Sequence, residues 1–556
     1  MQNLKNMIKK DISTYLSIIL LLFSITLKAQ DIDKDVIVTK DFVPVIHDAD
    51  KIDLSPEISD TIKIKPSFSY RIFPIPVKTQ FELRPIKPAK LVGIPISELN
   101  RYYIKAGIGN HHLPLFEAYA NNLRSDKYSV GAALNIEKQE GKIKLENNQK
   151  ITGANSYIHI NTFGKFFLGN FNIENTAGIE LTGAHYYGLN PDTVYNSLPG
   201  AKDIKHNHGS VYFKGKIYSV TNNTGYEYNA SFFEEYTWDR DEYHENYIGL
   251  NLENKIKLSL FDLYINGDFD FINNNLSGDT LNKLSFVTIR PYISNTNGEF
   301  RYKLGMSLTV ENGEGNNTSL FPVASLEYSL AEEVLTTFFT LDGKINKNRY
   351  KEILDDNPFI NPGSNPYSSK EQLNVVAGFK GNINKSVSYF ITGGLQSIKN
   401  QYFYAIDSVG IYDNHFKLIY DDLDITSVSG GMFFNINNKL DIELSGSSYR
   451  YLTGEEEKAW HMPLWDLKTD IKYNIQEKIF IQSDLNIIGT RYAKSINDET
   501  IELKPFASLD VQIDYNFSKL LSAFITIKNL NAARYTLWNQ YPYYKTMVII
   551  GGVYKF

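Results

Sequence analysis

His206-Asn207-His208 is the closely spaced imidazole pair of this chain, in a stretch that reads as a long loop, with Asp203 three residues before it. Neutral imidazole and carboxylate are donors that suit a borderline divalent metal. Protein metal sites use three or four such ligands, however, so this pair assigns no metal, and a solvated loop carrying two of the ten histidines accounts for the same residues. His111-His112, in a tight turn, carries less weight still. Covalent chemistry has little to draw on. The chain has no Cys, which excludes disulfides, thiolate metal sites, thiol nucleophiles and a lipidated Cys anchor. It has no Gly-x-Ser-x-Gly elbow and no His-Glu-x-x-His helix. We therefore expect no enzyme and no cofactor. The 57 Lys+Arg against 63 Asp+Glu give a net charge of -6, without the basic excess that nucleic acid requires.

Residues so sparse in reactive chemistry direct attention to the elements that carry them. Lys5, Lys9 and Lys10 precede an apolar run from Leu16 to Leu27, followed by Lys28-Ala29-Gln30. This is the pattern of an export signal, too short for a bilayer span, with cleavage expected after Ala29. Residues 30–100 differ from all that follows, because eight of the 19 prolines fall between Pro44 and Pro95. Each proline removes a ladder donor, so this stretch reads as an extended periplasmic segment of polyproline character rather than as sheet.

From Arg101 to Phe556 the pattern becomes alternation with period two. Leu509, Val511, Ile513, Tyr515 and Phe517 interleave with Asp510, Gln512, Asp514 and Asn516. Trp465 to Ile475 and Phe261 to Phe271 repeat the pattern. With 38 Tyr and 33 Phe, such long two-faced strands fit a transmembrane barrel whose apolar face meets outer-membrane lipid and whose charged face meets water. Short turns are predicted near Asp126, Gly169, Asn222, Leu260, Asn297, Glu332, Asn384, Asn437, Glu477 and Ser518. Ten such turns join 20 strands, and a first strand from about Arg101 and a last from about Lys545 give an all-β, antiparallel barrel of about 22. Long outer loops are expected over Asn190 to His208, Asn346 to Lys370, Tyr402 to His415, Tyr451 to Pro463, Arg491 to Glu499 and Asn531 to Lys545. The second reads as a turn-rich surface loop with a hydrophobic tip at Phe359-Ile360. Trp238, Trp460 and Trp538 fall near outer strand ends, where anchoring at the lipid interface is favoured over stacking on a flat ligand.

The ending Lys545 to Phe556 resembles the last strand of outer-membrane proteins, with Val548, Ile550, Tyr554 and Phe556 on one face. That resemblance implies an assembly signal read by the barrel assembly machinery. Asn529-Leu530-Asn531 with Arg534-Tyr535 is similar to the penultimate segment of TonB-dependent receptors. The family implies solute uptake across the outer membrane, and it places a globular plug in a 22-stranded wall. Residues 30–100 are too few and too rich in proline for such a plug and read as its remnant. Asp35-Val36-Ile37-Val38-Thr39 looks like a box that contacts a TonB-type energy transducer, since a short β-branched strand adds readily to a sheet edge. A bland extended segment explains it equally. Two alternatives stand beside uptake: a plugless scaffold that binds another envelope protein through the proline-rich segment, and a passive pore.

Overall fold

The computed structural model describes residues 100–556 apart from 112, 191–196, 221–224, 276–280, 297, 314–315, 363 and 409–411. The signal segment, the proline-rich segment and Asp35 to Thr39 lie outside the described residues. The first strands are β1 (Tyr102–Gly109), β2 (Leu113–Asn121), β3 (Tyr128–Lys144), β4 (Lys150–Phe167), β5 (Phe171–His185), β6 (Lys205–Ser219), β7 (Tyr226–Asp239) and β8 (His244–Lys257). They are followed by β9 (Asp262–Asn275), β10 (Leu281–Asn295), β11 (Phe300–Asn312), β12 (Asn317–Ala331), β13 (Leu335–Asn346), a short helix α1 (Tyr350–Asp356), β14 (Ser369–Asn384), β15 (Val387–Asp407) and β16 (His415–Ile436). The chain ends with β17 (Leu440–Thr453), β18 (Trp465–Ile475), β19 (Ile479–Ile488), β20 (Arg491–Lys494), β21 (Thr500–Leu503), β22 (Phe506–Asn516), β23 (Leu521–Lys528), β24 (Thr536–Trp538), β25 (Tyr541–Pro542) and β26 (Met547–Lys555).

Twenty-two of these strands form one antiparallel sheet, and the small hairpins β20–β21 and β24–β25 stand apart from it. Each strand pairs with its neighbour in sequence, and β26 pairs with β1 in the register Tyr103↔Lys555 to Gly109↔Ile549, which closes the barrel. The seam ends in two reciprocal bonds, Tyr102 N to Phe556 O at 2.8 Å and Phe556 N to Tyr102 O at 3.0 Å. Closure leaves no edge whose backbone groups would be stranded in an apolar medium.

The predicted turns at Asp126, Gly169, Leu260, Glu332, Asn437, Glu477 and Ser518 fall in short connections at one end of the barrel, here the turn end, and Asn384 ends β14 there; Asn222 and Asn297 lie outside the described residues. Asn437 and Asn438, between β16 and β17, take φ of 53° and 55°, as a type I′ hairpin requires. Side chains alternate as the sequence pattern demands. On β1, Ile104 and Ile108 are exposed outward while Lys105 is buried inward beside Glu117 on β2. On β22, Ile513 and Tyr515 face outward, and Asp510 and Gln512 are buried on the inner face. Several inner aromatic rings lie over cross-strand glycines. A Cβ at Gly178 would meet the Tyr212 ring at 2.5 Å, and one at Gly131 would meet Phe163 at 2.5 Å. These glycines let the rings lie flat against the wall.

The opposite, loop end corrects several expectations. His206 and His208 are in strand β6, not in the preceding loop, because alternation continues to Lys205 and carries both rings inward. β15 and β16 extend to Asp407 and start from His415, so residues expected as loop continue the wall. The loop over Asn346 to Lys370 contains α1, and its apolar tip is buried rather than exposed, with Phe359 at 2% and Ile360 at 0%. Trp460 and Trp538 are buried in loop cores, whereas Trp238 stacks on the exposed Tyr236 of the outward face.

Candidate functional site: a strap and cap at the barrel mouth

The connection from β13 to β14 does not stay above its own strands. It crosses the mouth and fastens to the inner wall at β5, β7, β8 and β9, up to eight strands away around the 22-stranded sheet. We call residues 347–368 the strap. Arg349 donates from Nη1 to Glu235 Oε2 at 2.7 Å, and its guanidinium lies 4.3 Å over the Tyr247 ring. Lys351 Nζ is 3.1 Å from Glu180 and 2.6 Å from Asp355, and Lys347 pairs with Asp270. The backbone N–H of Tyr350 donates to Glu245 at 2.8 Å, and the Tyr350 hydroxyl donates to Asp239 at 2.9 Å. Burial alone would lower the pKa of Lys351 and Arg349, but the surrounding carboxylates hold both above their ordinary values. The strap is therefore held as a cation-bearing segment against an acidic wall.

α1 is only seven residues long, well below the length at which a helix is stable alone. Its order comes from packing, since Tyr350, Ile353 and Leu354 are almost fully buried. The tip beyond it meets loops from three other parts of the chain. Phe359 stacks on Tyr541 at 3.7 Å, and Phe359 O accepts from Phe416 N at 2.9 Å. Tyr186 donates to Ile360 O at 2.9 Å, Tyr187 donates to Pro542 O at 3.1 Å, and Tyr541 donates to Asn414 O. Trp538 packs against Tyr404, Phe416 and His461. One continuous apolar cluster thus joins wall residues such as Leu113 and Ile151 to the strap and the final loop. Loops that only surmounted the wall would have no reason to bury so many aromatics; these bury one another across the mouth.

The residues singled out in the sequence are distributed as follows. The His206 and His208 rings are 6.0 Å apart beneath the cap, with Asp241 at 3.6 Å from the first and Asp355 of the strap at 3.9 Å from the second. Asp203 instead accepts from Gly200 N at 3.0 Å. Among the described residues no group of three or more His, Asp or Glu side chains is placed to hold a metal ion. Val548, Ile550, Tyr554 and Phe556 share the outward face of β26 and its end. Asn529 N donates to Asp510 at 2.7 Å and its amide to Ala533 O and Tyr544 O, so this residue ties the root of the final loop. Tyr535 stacks on Phe506 at 4.1 Å, and Arg534 donates to Lys144 O at 3.0 Å.

Sequence reasoning missed Arg349, Lys351 and their partners Glu180, Glu235 and Glu245. Glu235 is 114 positions from Arg349, and each acid alone looks like any inward carboxylate of an alternating strand.

No protein-family model matches the sequence, and no curated protein sequence matches it. Its structure, by contrast, is similar to solved outer-membrane receptors and transporters. Against the FrpB iron transporter of Neisseria meningitidis the TM-score is 0.63 at 12% identity, covering 83% of this chain and 82% of that one. For the ferric-catecholate import receptor Fiu of E. coli the values are 0.62, 10%, 82% and 82%. For the copper transporter OprC they are 0.61, 11%, 82% and 80%. The 22-stranded closed barrel of this chain resembles that of TonB-dependent receptors.

Proposed function

We propose that this chain is an outer-membrane barrel that admits a solute through its lumen, with the strap and cap as the gate on the cell-surface side. The observation that carries this reading is the strap, latched across the mouth by ion pairs to three wall strands and by a backbone hydrogen bond to a fourth. A segment needed only to join β13 to β14 gains nothing from that reach. The apolar outward face, with Ile108, Leu320 and Ile391 all more than half exposed, supports insertion in lipid. The likeness to receptors and transporters supports uptake as the direction of use. On this reading the turn end faces the periplasm, and Asp35 to Thr39 would meet a TonB-type transducer or another envelope protein. Val548, Ile550, Tyr554 and Phe556 would be read by the barrel assembly machinery.

The cap weighs against a freely open pore. A scaffold role through the proline-rich segment remains the alternative that deletion of residues 30–100 separates from uptake, because it predicts loss of a co-purifying partner with the barrel intact. The neighbours' cargoes, iron complexes and copper, define where a substrate panel should begin. Deleting the protein should reduce accumulation of at least one labelled solute in that panel, with restoration by the wild-type chain. Unchanged accumulation across iron chelates, copper and a broad nutrient set would overturn the uptake reading.

A further inference from the structure

The hairpin β20–β21 brings a cation into the cap without an acid to meet it. Arg491 is 0% exposed. Its Nη1 donates to Leu537 O at 2.5 Å and its Nη2 to Thr536 O at 2.7 Å, while Nε makes no hydrogen bond within the protein. No Asp or Glu among the described residues forms an ion pair with it, in contrast to Arg349 and Lys351 of the strap, each of which has two. Two neutral carbonyls satisfy part of the guanidinium's donor set but supply no countercharge.

Nor is Arg491 the only unfinished donor in this part of the cap. Trp538 and Asn539 directly follow the two carbonyls it holds, and the Trp538 indole N–H and the Asn539 amide nitrogen also lack a hydrogen-bond partner in the protein. Trp538 is 2% and Asn539 6% exposed. His461 is tied to the same group, its Nε2 accepting from Asn539 N at 3.4 Å. That bond directs the proton of the neutral ring to Nδ1, so His461 supplies no negative charge. Lys494 and Glu456 nearby pair with each other at 2.9 Å. Buried donors left unmade on Arg491 and on two residues of the loop it holds, with only the Phe506 ring 5.3 Å from the guanidinium and no acid, is an arrangement that proteins otherwise avoid.

We infer that Arg491, Trp538 and Asn539 form a site for one small monovalent anion of the chloride class, which clamps the final loop to the β20–β21 hairpin. A halide suits these groups because the unmade donors, the Arg491 Nε–H, the Trp538 indole N–H and the Asn539 amide, belong to three separate side chains rather than to one fork. Complete burial likewise selects a small ion over an arriving solute. The inference is independent of the transport reading, since it concerns what holds the cap together.

The test uses the full chain in detergent at constant ionic strength, in sodium chloride, sodium bromide or sodium gluconate. Hydrogen exchange is followed over residues 459–464 and 536–541, and crystals grown in bromide are examined for anomalous scattering. The expected result is exchange at least about tenfold slower in either halide than in gluconate, with a bromide peak beside Arg491 Nε. Arg491→Met should abolish the difference between salts. Trp538→Phe, which retains the ring and deletes only the N–H, should reduce it and serves as the decisive variant if the first does not fold. Equal exchange in all three salts, no bromide peak, or a halide effect undiminished in the variants would overturn the site.

Discussion

Removing the Arg349 side chain should loosen the strap by an amount the structure allows to be worked out. Its bond to Glu235 joins side chains that are only 13% and 8% exposed, so solvent screens the pair weakly. Truncation to Ala leaves Glu235 buried without its main partner, a loss of about 3 to 5 kcal/mol for a buried pair broken on one side. The Glu352 contact adds little, because that carboxylate is 48% exposed. Five apolar anchors, Tyr350, Ile353, Leu354, Phe359 and Ile360, remain. At about 1.5 to 3 kcal/mol each they retain roughly 8 to 15 kcal/mol of gross burial, so the strap should stay mainly docked. Its open fraction should still rise about 10² to 4 × 10³-fold, since each 1.4 kcal/mol is a factor of ten. Hydrogen exchange of the α1 amides should accelerate by that factor, with the barrel strands unchanged. Arg349→Met combined with Glu235→Gln should recover most of the protection, because neither charge is then stranded. Exchange in Arg349→Ala equal to wild type, or a double variant as loose as the single, would refute the latch.

Three further outcomes follow from other parts of the barrel. Deleting Phe556 removes both reciprocal bonds to Tyr102 and a ring contact at 4.9 Å, so folded protein in the outer membrane should fall severely, as a heat-shift gel of membrane fractions would reveal. Gly551→Ala places a Cβ 2.1 Å from Ala106 O at the β26–β1 seam, and should destabilise the barrel by about 1 to 3 kcal/mol or more, read as a lower urea midpoint for unfolding in lipid vesicles. His461 in the cap has its pKa lowered from the ordinary 6.5 to about 3, first by burial and then by Arg491. Its stabilising effect is therefore complete above pH 6.5 and is lost as pH falls from there toward 3, by up to roughly 5 kcal/mol. Protection over residues 459–464, with the intrinsic pH dependence of amide exchange divided out, should fall on acidification in wild type and lose that dependence in His461→Gln.

The wall was legible because its rules are local. Alternation at Leu509 to Phe517 fixes which side chains face out, and polar turn residues such as Asn437 and Glu477 mark where each hairpin reverses. Counting those reversals is enough to reach 22 strands. The cap was not legible, because its partners are distant in sequence and its residues obey no period. Phe359 and Ile360 look like an exposed tip until Tyr541 and Phe416 arrive from elsewhere in the chain. Trp460 and Trp538 look like interface anchors for the same reason. At His206 the error was different: polar residues beyond the lipid-facing band read as loop, although the strand continues above it to meet the strap.

The central claim is that the strap closes a lumen that would otherwise conduct. Single-channel recording in planar bilayers tests it most directly, comparing the wild-type chain with one in which a short Gly-Ser linker replaces residues 347–368. The account predicts that the wild type is nearly silent and that the strap-deleted barrel opens in large, frequent steps. Large steady conductance from the wild type, or silence from both proteins, would contradict it.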